Sequence, residues 1–116
     1  MRSATSTAIT PWYRGFVDLP GRPSARIAEH RDAILGLVAA HRGHDARLFG
    51  SVARGDDGPG SDVDVLVEFT DEATLLDEVG LRLALNDLLG VDVDVMAADT
   101  LRGEMRDRIF REAVPV

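Results

Sequence analysis

The chain has 116 residues, 45% of them hydrophobic, which is enough for one domain with a single modest core. The absence of cysteine excludes a disulfide framework and a thiolate metal site. No apolar run reaches the ~20 residues of a membrane span, and the N-terminus lacks the apolar stretch of a secretory signal, so a cytoplasmic protein is predicted. The formal net charge of −7, with no lysine and dispersed arginines, disfavours stable nucleic-acid binding and suits a basic protein partner.

The chain is predicted to begin with an irregular arm, residues 1–23, which contains Ser, Thr, Pro and Gly without a helical or strand period. Trp12, Tyr13 and Phe16 are conspicuous in this arm. Packing of these aromatic residues onto the domain surface is the favoured interpretation, and docking of a partner is the alternative. The folded domain is predicted to cover residues 24–116.

A helix is predicted over residues 25–41, with Ser24 as its N-cap. Its apolar residues recur at helical spacing and form one stripe suited to packing against the rest of the domain. The stripe consists of Ile27, Ile34, Leu35 and Val38. His30, His41 and His44 show no adjoining acidic or thiol cluster in the sequence, so an ordinary solvated role is favoured over a metal site.

The next two predicted elements are strands, residues 46–49 and 62–69, joined by a glycine-rich loop. Gly50-Ser51 follows the first strand directly, and Gly55 comes after three further residues. Because glycine has no Cβ, backbone N–H groups and the Ser51 hydroxyl can approach an anion closely at such a turn. The turn is therefore a candidate phosphate cradle.

Two acidic side chains stand at the start of the second strand. Asp62 and Asp64 are two residues apart, so they point to the same face of the strand. Carboxylates about 4 Å apart repel by roughly 4 kcal/mol at an effective dielectric near 20, so a cation is expected between them. Their oxygen ligands favour Mg²⁺, which commonly takes one or two carboxylates plus phosphate oxygens of a substrate. Asp56 and Asp57, in the preceding loop, are interpreted as turn formers.

A long helix is predicted over residues 75–89, ending at Gly90, and it carries more apolar residues than one stripe requires. One face consists of Leu75, Leu76, Val79 and Leu83. A second face consists of Leu81, Leu85, Leu88 and Leu89. Burial on both sides is the favoured interpretation, and a surface for a partner or a second copy of the chain is the alternative.

The C-terminal part contains a predicted strand, residues 91–96, and a last predicted helix, residues 101–112. Alternation in the strand places Asp92 and Asp94 on one face. The inner face of the helix is expected to contain Leu101, Met105, Ile109 and Ala113. The order helix, strand, strand, helix, strand, helix predicts an α+β fold in which helices pack against a small mixed sheet.

The motif Gly50-Ser51 with Gly55, followed by the run 61–64 (Ser-Asp-Val-Asp), resembles the signature of the DNA-polymerase-β-type nucleotidyltransferases. In particular it resembles their smallest members, the minimal nucleotidyltransferase (MNT) proteins that are paired with HEPN toxins. The resemblance covers residues 27–113, most of the chain. It implies a polymerase-β-type nucleotidyltransferase core, and both halves of the motif stand in the family's order and spacing.

The resemblance also implies roles for individual residues. Asp62 and Asp64 would hold two Mg²⁺ ions, with ATP as the nucleotide donor. Asp94 would complete the inner metal site and activate the acceptor hydroxyl; it is preferred over Asp92 because Val-Asp followed by an apolar pair matches the family. The nucleotide phosphates would be bound by Gly50, Ser51 and Arg54.

The chain spends nearly all its length on the catalytic core, so an acceptor must come from another protein or a second copy. The resemblance implies an antitoxin that transfers AMP from ATP to a tyrosine hydroxyl of a cognate HEPN ribonuclease toxin. The alternative is a non-catalytic antitoxin that neutralises the toxin by binding. A small-molecule nucleotidyltransferase would need a second domain, which is not predicted. The base preference, the number of subunits and the contribution of Asp92 are left open.

Overall fold

The computed structural model describes residues 22–116. There the chain forms α1 (Pro23–Glu29), α2 (Arg31–Ala40), β1 (Gly43–Phe49), α3 (Ser51–Arg54), β2 (Val63–Phe69), α4 (Leu75–Leu89), β3 (Val93–Ala97), α5 (Gly103–Glu112) and β4 (Val114–Pro115). A short 3-10 turn, Ala98–Thr100, precedes α5. The predicted arm, with Trp12, Tyr13 and Phe16, lies outside the described residues except for its last two positions.

The four strands form one sheet in the order β3–β2–β1–β4. β1 pairs antiparallel with both β2 and β4, whereas β2 and β3 run parallel. A parallel pair needs a crossover connection, and α4 supplies it. The predicted α+β fold with a small mixed sheet is therefore confirmed. β4 was not predicted, because two residues are too few to show an alternating pattern.

Apolar clusters lie on both faces of the sheet, so the central strand β2 is buried from two sides. Val63, Val65 and Val67 join a cluster that includes residues of α1, α2 and α4. Leu66 belongs to a second cluster with Ile109 of α5. Because side chains alternate along a strand, Asp64 shares the face of Leu66 and of α5. Burial of β2 fixes the register that positions the acidic residues near its start.

The continuous helix predicted over residues 25–41 is wrong, because α1 and α2 meet at His30 instead. His30 has φ −108° and ψ 21°, outside the α-helical range, although no proline or glycine stands there to indicate a break. The first helix begins at Pro23, whose fixed φ suits a first turn, so Ser24 lies inside the helix and is not its N-cap. The stripe is nevertheless buried at Ile27, Ile34 and Val38.

α4 has the predicted bounds, but its predicted burial on both sides is wrong within residues 22–116. Leu81, Leu85 and Leu89 are buried against the sheet side of the helix. The opposite face is exposed, and we call it the α4 apolar face. It consists of Leu75, Leu76, Val79 and Leu83, which are 72%, 82%, 41% and 53% exposed. The hydrophobic pattern therefore predicted the helix and its bounds correctly, but it did not predict which of the two apolar faces is buried.

The last helix differs from its prediction in its start and its inner face. α5 begins at Gly103, two residues beyond the predicted start, because Leu101 and Arg102 have extended backbone conformations. Leu101 and Ile109 are buried as expected, whereas Met105 is 53% exposed and does not belong to the inner face. No helix in the described part of the chain is both long and apolar enough to cross a membrane.

Candidate active site

The segment predicted to bind phosphate forms a tight turn between β1 and the four-residue helix α3, which was not predicted. Gly50 has φ 73° and ψ −150°, a conformation essentially restricted to glycine. The Arg54 N–H donates to the Gly50 carbonyl at 3.1 Å, and this is the first hydrogen bond of α3. The N–H groups of Ser51, Val52 and Ala53 precede that bond, so helix geometry gives them no acceptor. These donors and the Ser51 hydroxyl suit an anion.

Asp64 lies directly beside this turn. The antiparallel register of β1 and β2 pairs Phe49 with Asp64, so the residue after Phe49 reaches the Asp64 side chain. A Cβ added at Gly50 would collide with Asp64 Oδ2. Position 50 therefore requires glycine for two reasons, its backbone conformation and the closeness of a carboxylate. The two halves of the sequence motif meet at this point.

The third predicted carboxylate, Asp94, lies beside Asp64 on the neighbouring strand. The parallel register of β2 and β3 pairs these two residues, and laterally paired residues point to the same face of a sheet. Asp62 precedes β2 by one residue and is exposed. Within residues 22–116, these three aspartates do not form a group whose ligand atoms all lie within 4.8 Å of one another. Asp64 and Asp94 are side by side, and Asp62 stands at the rim.

Asp64 is partly buried and has two other carboxylates close to it. Burial raises the pKa of the Asp64 carboxyl above its ordinary value, the charges of Asp94 and Asp62 raise it further, and the Arg54 guanidinium offsets part of this effect. A divalent cation would relieve the repulsion, and a donor set made only of carboxylate oxygens matches the preference of Mg²⁺. The residues therefore fit a magnesium ion.

Arg54, predicted to bind a phosphate, has an internal partner in the structure. Its Nε lies 3.4 Å from Asp56 Oδ2, and both side chains are largely exposed. Its charge is close enough to lower the pKa of Asp64, so it belongs to the surroundings of the site. A phosphate contact would require Arg54 to exchange Asp56 for the ligand, and its role stays a prediction.

Asp92 lies outside β3, which begins at Val93. Its carbonyl accepts the Val63 N–H at 2.9 Å, so its backbone joins the two strands at their start. Together with Asp62 it lines an open cleft of about 420 Å³. The cleft is lined by Gly60, Asp62, Asn86, Gly90, Val91 and Asp92. The register thus places Asp94 level with Asp64, which favours Asp94 over Asp92 as its neighbour.

A second polar cluster stands at the opposite end of β2. One ligand atom each from His44, Asp45 and Glu68 lies within 4.8 Å of the others. Their own partners occupy them, because His44 Nδ1 is 2.8 Å from Asp45 Oδ2 and Arg47 donates to Glu68 Oε2 at 2.8 Å. Glu68 is therefore partly buried and paired with Arg47.

Sequence reasoning also missed Asp57, which was interpreted as a turn former. The residue is 3% exposed and lies in the loop between α3 and β2, within a few residues of both halves of the motif. Its neighbour Asp56 is exposed. No local pattern distinguishes these two aspartates, because the partners of Asp57 come from a distant part of the chain.

Comparisons with known proteins agree with this geometry. Residues 28–116 match the family described as nucleotidyltransferase domain. A protein of Methanocaldococcus jannaschii provisionally named protein adenylyltransferase MJ0435 is 39% identical over 90 residues, 78% of this chain and 97% of the relative. The protein adenylyltransferase MntA of Thermococcus cleftensis is 38% identical over 69 residues, 60% of this chain and 70% of the relative.

Two solved structures show the same fold. One, provisionally described as a minimal nucleotidyltransferase, has a TM-score of 0.74 and 43% identity and covers 80% of this chain and 95% of its own. The other, described as a toxin–antitoxin with AMP-PNP, has a TM-score of 0.61 at 19% identity, covers 79% of this chain and 70% of its own, and is similar in fold alone. This chain therefore belongs to the nucleotidyltransferase domain family, as a minimal nucleotidyltransferase of the DNA-polymerase-β type.

Proposed function

We propose that this chain transfers AMP from ATP to a hydroxyl group of a partner protein, in a reaction that requires Mg²⁺. The observation that supports the proposal most strongly is the meeting of Asp64, Asp94 and the Gly50 turn at one end of the sheet. The names of the two curated relatives favour AMP as the transferred group and protein as the acceptor. The partner that the MNT resemblance favours is a HEPN ribonuclease toxin modified at a tyrosine.

In this reaction the acceptor oxygen forms a bond to the α-phosphorus of ATP, and the bond from that phosphorus to the bridging oxygen breaks. Pyrophosphate leaves with the bridging oxygen, and the acceptor proton goes to Asp94, an exposed carboxylate beside Asp64. The Gly50 turn and the Ser51 hydroxyl bind the outer phosphates. Mg²⁺, held by Asp62, Asp64 and Asp94 as two bound ions, would neutralise charge on the triphosphate.

Two features support a protein as the acceptor. Asp62 and Asp94 are exposed, so a hydroxyl carried on another molecule can approach the site from solvent. The α4 apolar face leaves four large side chains exposed on one helix, which is typical of an interaction surface. When the acceptor hydroxyl belongs to the partner protein, the contact between the two proteins takes the place of a separate substrate-binding domain.

The experiment searches the genes next to that of this chain for a HEPN-type reading frame, and follows the intact mass of its product by mass spectrometry after incubation with ATP and Mg²⁺. We expect a mass increase of one AMP group, mapped by fragmentation to a tyrosine. Asp64→Asn should abolish the increase because it removes a central carboxylate of the site. Asp107→Asn, which changes an exposed aspartate on α5, is the matched control and should leave the reaction intact. Parallel incubations with GTP, CTP and UTP give the base preference.

A binding-only antitoxin is the second candidate, and the α4 apolar face supports it as well, because binding alone also needs such a surface. The same Asp64→Asn variant separates the two functions. If this variant protects cells from the toxin as well as the wild type does, and neither protein leaves an adduct, the chain acts by occlusion. Loss of protection together with loss of the adduct supports transfer of AMP.

A further inference from the structure

Asp57 is the one polar or charged residue that the structure buries within residues 22–116. Its side chain has no exposed surface, although it lies in a loop made largely of glycine, proline and acidic residues. An ionised carboxylate is costly to bury unless hydrogen bonds and opposite charge compensate for lost water. The hydrogen-bond partners of Asp57 therefore show how its buried carboxylate is stabilised.

Both carboxylate oxygens of Asp57 are bound by the start of α1. The Ser24 N–H donates to Oδ2 at 2.9 Å, and Arg22 Nη2 donates to Oδ1 at 3.2 Å. Arg22 also holds the loop backbone, because its Nε donates to the Asp57 carbonyl at 2.9 Å and its Nη2 to the Gly55 carbonyl at 3.0 Å. We call this set of contacts, made by Arg22, Ser24, Gly55 and Asp57, the Asp57 clamp.

The clamp stabilises the ionised carboxylate. Burial alone would raise the pKa of Asp57, but the hydrogen bonds from Ser24 and the charge and hydrogen bonds of Arg22 outweigh it and lower the pKa below its ordinary value. The stability that this group contributes is therefore present at neutral pH, and it is lost as the pH falls through the folded-state pKa.

The clamped loop connects the two halves of the candidate site. It begins at Gly55, directly after the helix that follows the Gly50 turn, and it ends at Asp62. Gly55 and Gly60 both have positive φ with nothing within 4 Å of an added Cβ, so neither is held by close packing. A loop of this composition has much conformational freedom to lose, and a fixed point near its middle restricts it.

α1 also contacts the second connection that borders the site. Arg26 donates to the Leu89 carbonyl at 2.5 Å, at the C-terminus of α4. An added Cβ at Gly90 would stand 2.7 Å from the Arg26 guanidinium, so the turn into β3 passes close to α1. One short helix thus bonds both the loop before Asp62 and the turn before Asp94.

We infer that Asp57 is a positioning residue, through which α1 holds the loop between the phosphate turn and Asp62 in the arrangement needed for nucleotide binding. The inference rests on the proposed function, since it assigns the clamp a purpose at the nucleotide site. Asp57 itself does not touch the reacting groups. It acts through the loop backbone, and Arg22 acts through Asp57.

The experiment compares Asp57→Asn, Arg22→Ala and the double variant with the wild type. Mg²⁺–ATP binding is measured by calorimetry and loop protection by hydrogen–deuterium exchange, at a temperature where circular dichroism shows every variant folded. We expect faster exchange at the amides of residues 55–61 and roughly tenfold weaker ATP binding in each single variant. The double variant should bind ATP no more weakly than the single variant with the lower affinity, because the two residues act as a unit.

Glu68→Gln is the matched control, because it breaks another arginine–carboxylate pair, between Glu68 on β2 and Arg47 on β1, at the end of the strands away from the site. It should lower stability without changing ATP affinity or loop exchange. If Asp57→Asn and Arg22→Ala bind ATP as the wild type does, the clamp proposal is wrong while the proposed function stands. If the wild type itself does not bind ATP, the proposed function fails and the clamp loses its assigned purpose. Arg22→Ala keeps the test decisive should Asp57→Asn not fold.

Discussion

Replacing Gly50 by alanine tests whether the turn beside Asp64 is as tightly specified as the geometry indicates. At φ 73° and ψ −150° an L-residue is strained by about 1–3 kcal/mol. The new Cβ would also collide with Asp64 Oδ2, so the carboxylate must move away from the turn. We expect a total loss of about 2–3 kcal/mol in the free energy of unfolding, which lowers the melting temperature by roughly 10–20 °C in a domain of this size.

Other glycines and one double variant separate the two contributions. Gly55→Ala introduces strain at φ 78° without a collision and should cost about 1 kcal/mol. Gly36→Ala, inside α2 with nothing near an added Cβ, should stabilise the chain by about 0.5–1 kcal/mol. Asp64→Ala removes the colliding oxygen, so Gly50→Ala should cost less in that background. Urea denaturation measures all five variants, and a Gly50→Ala variant as stable as the wild type would refute the reasoning.

Three further predictions concern stability. Asp64→Asn, in metal-free buffer, should raise the free energy of unfolding by about 1 kcal/mol at pH 7.5, because the raised pKa of Asp64 means that its ionised form opposes folding there. The gain should shrink as the pH falls through the raised folded-state pKa of Asp64 and vanish below the ordinary carboxyl range, and growth of the gain in acid would contradict the assignment. Asp57→Asn should have the opposite effect and lower the free energy of unfolding at pH 7.5. This loss should become smaller as the pH falls through the folded-state pKa of Asp57. Urea denaturation at pH 7.5 and in acid measures the effect of both substitutions. Leu89→Ala should lower the free energy of unfolding by about 2–5 kcal/mol, because Leu89 is buried, whereas Leu76→Ala should change it by less than about 0.5 kcal/mol. Thermal unfolding measures both variants. Equal losses would mean that the α4 apolar face is covered in solution.

The features that could be predicted from the sequence are those with strong local signals. α4 was predicted with its bounds because fifteen residues of helical pattern end at Gly90, whose φ of 69° is a common helix stop. The Gly50 turn and the carboxylates at the start of β2 were found because glycine, serine and paired aspartates have few other reasons to follow one another in this order. The mixed sheet followed from the order of the elements.

The features that were missed depend on contacts between distant residues. The identical neighbours Asp56 and Asp57 have opposite environments because Arg22 and Ser24 reach only one of them. The exposure of Leu76 depends on what packs over α4, and periodicity describes only the helix itself. The pairing of Glu68 with Arg47 likewise joins two different strands, so it leaves no local signal in the sequence.

The parallel pairing of β2 with β3 also determines when the site can form. Asp64 and Asp94 stand on strands separated by the whole of α4, so they meet only after that helix has crossed the sheet. Pairings of this kind close late in folding, because a long stretch of chain must be ordered before any contact compensates for it. A nascent chain still on the ribosome, or one truncated within α4, would therefore carry the phosphate turn without a working transferase.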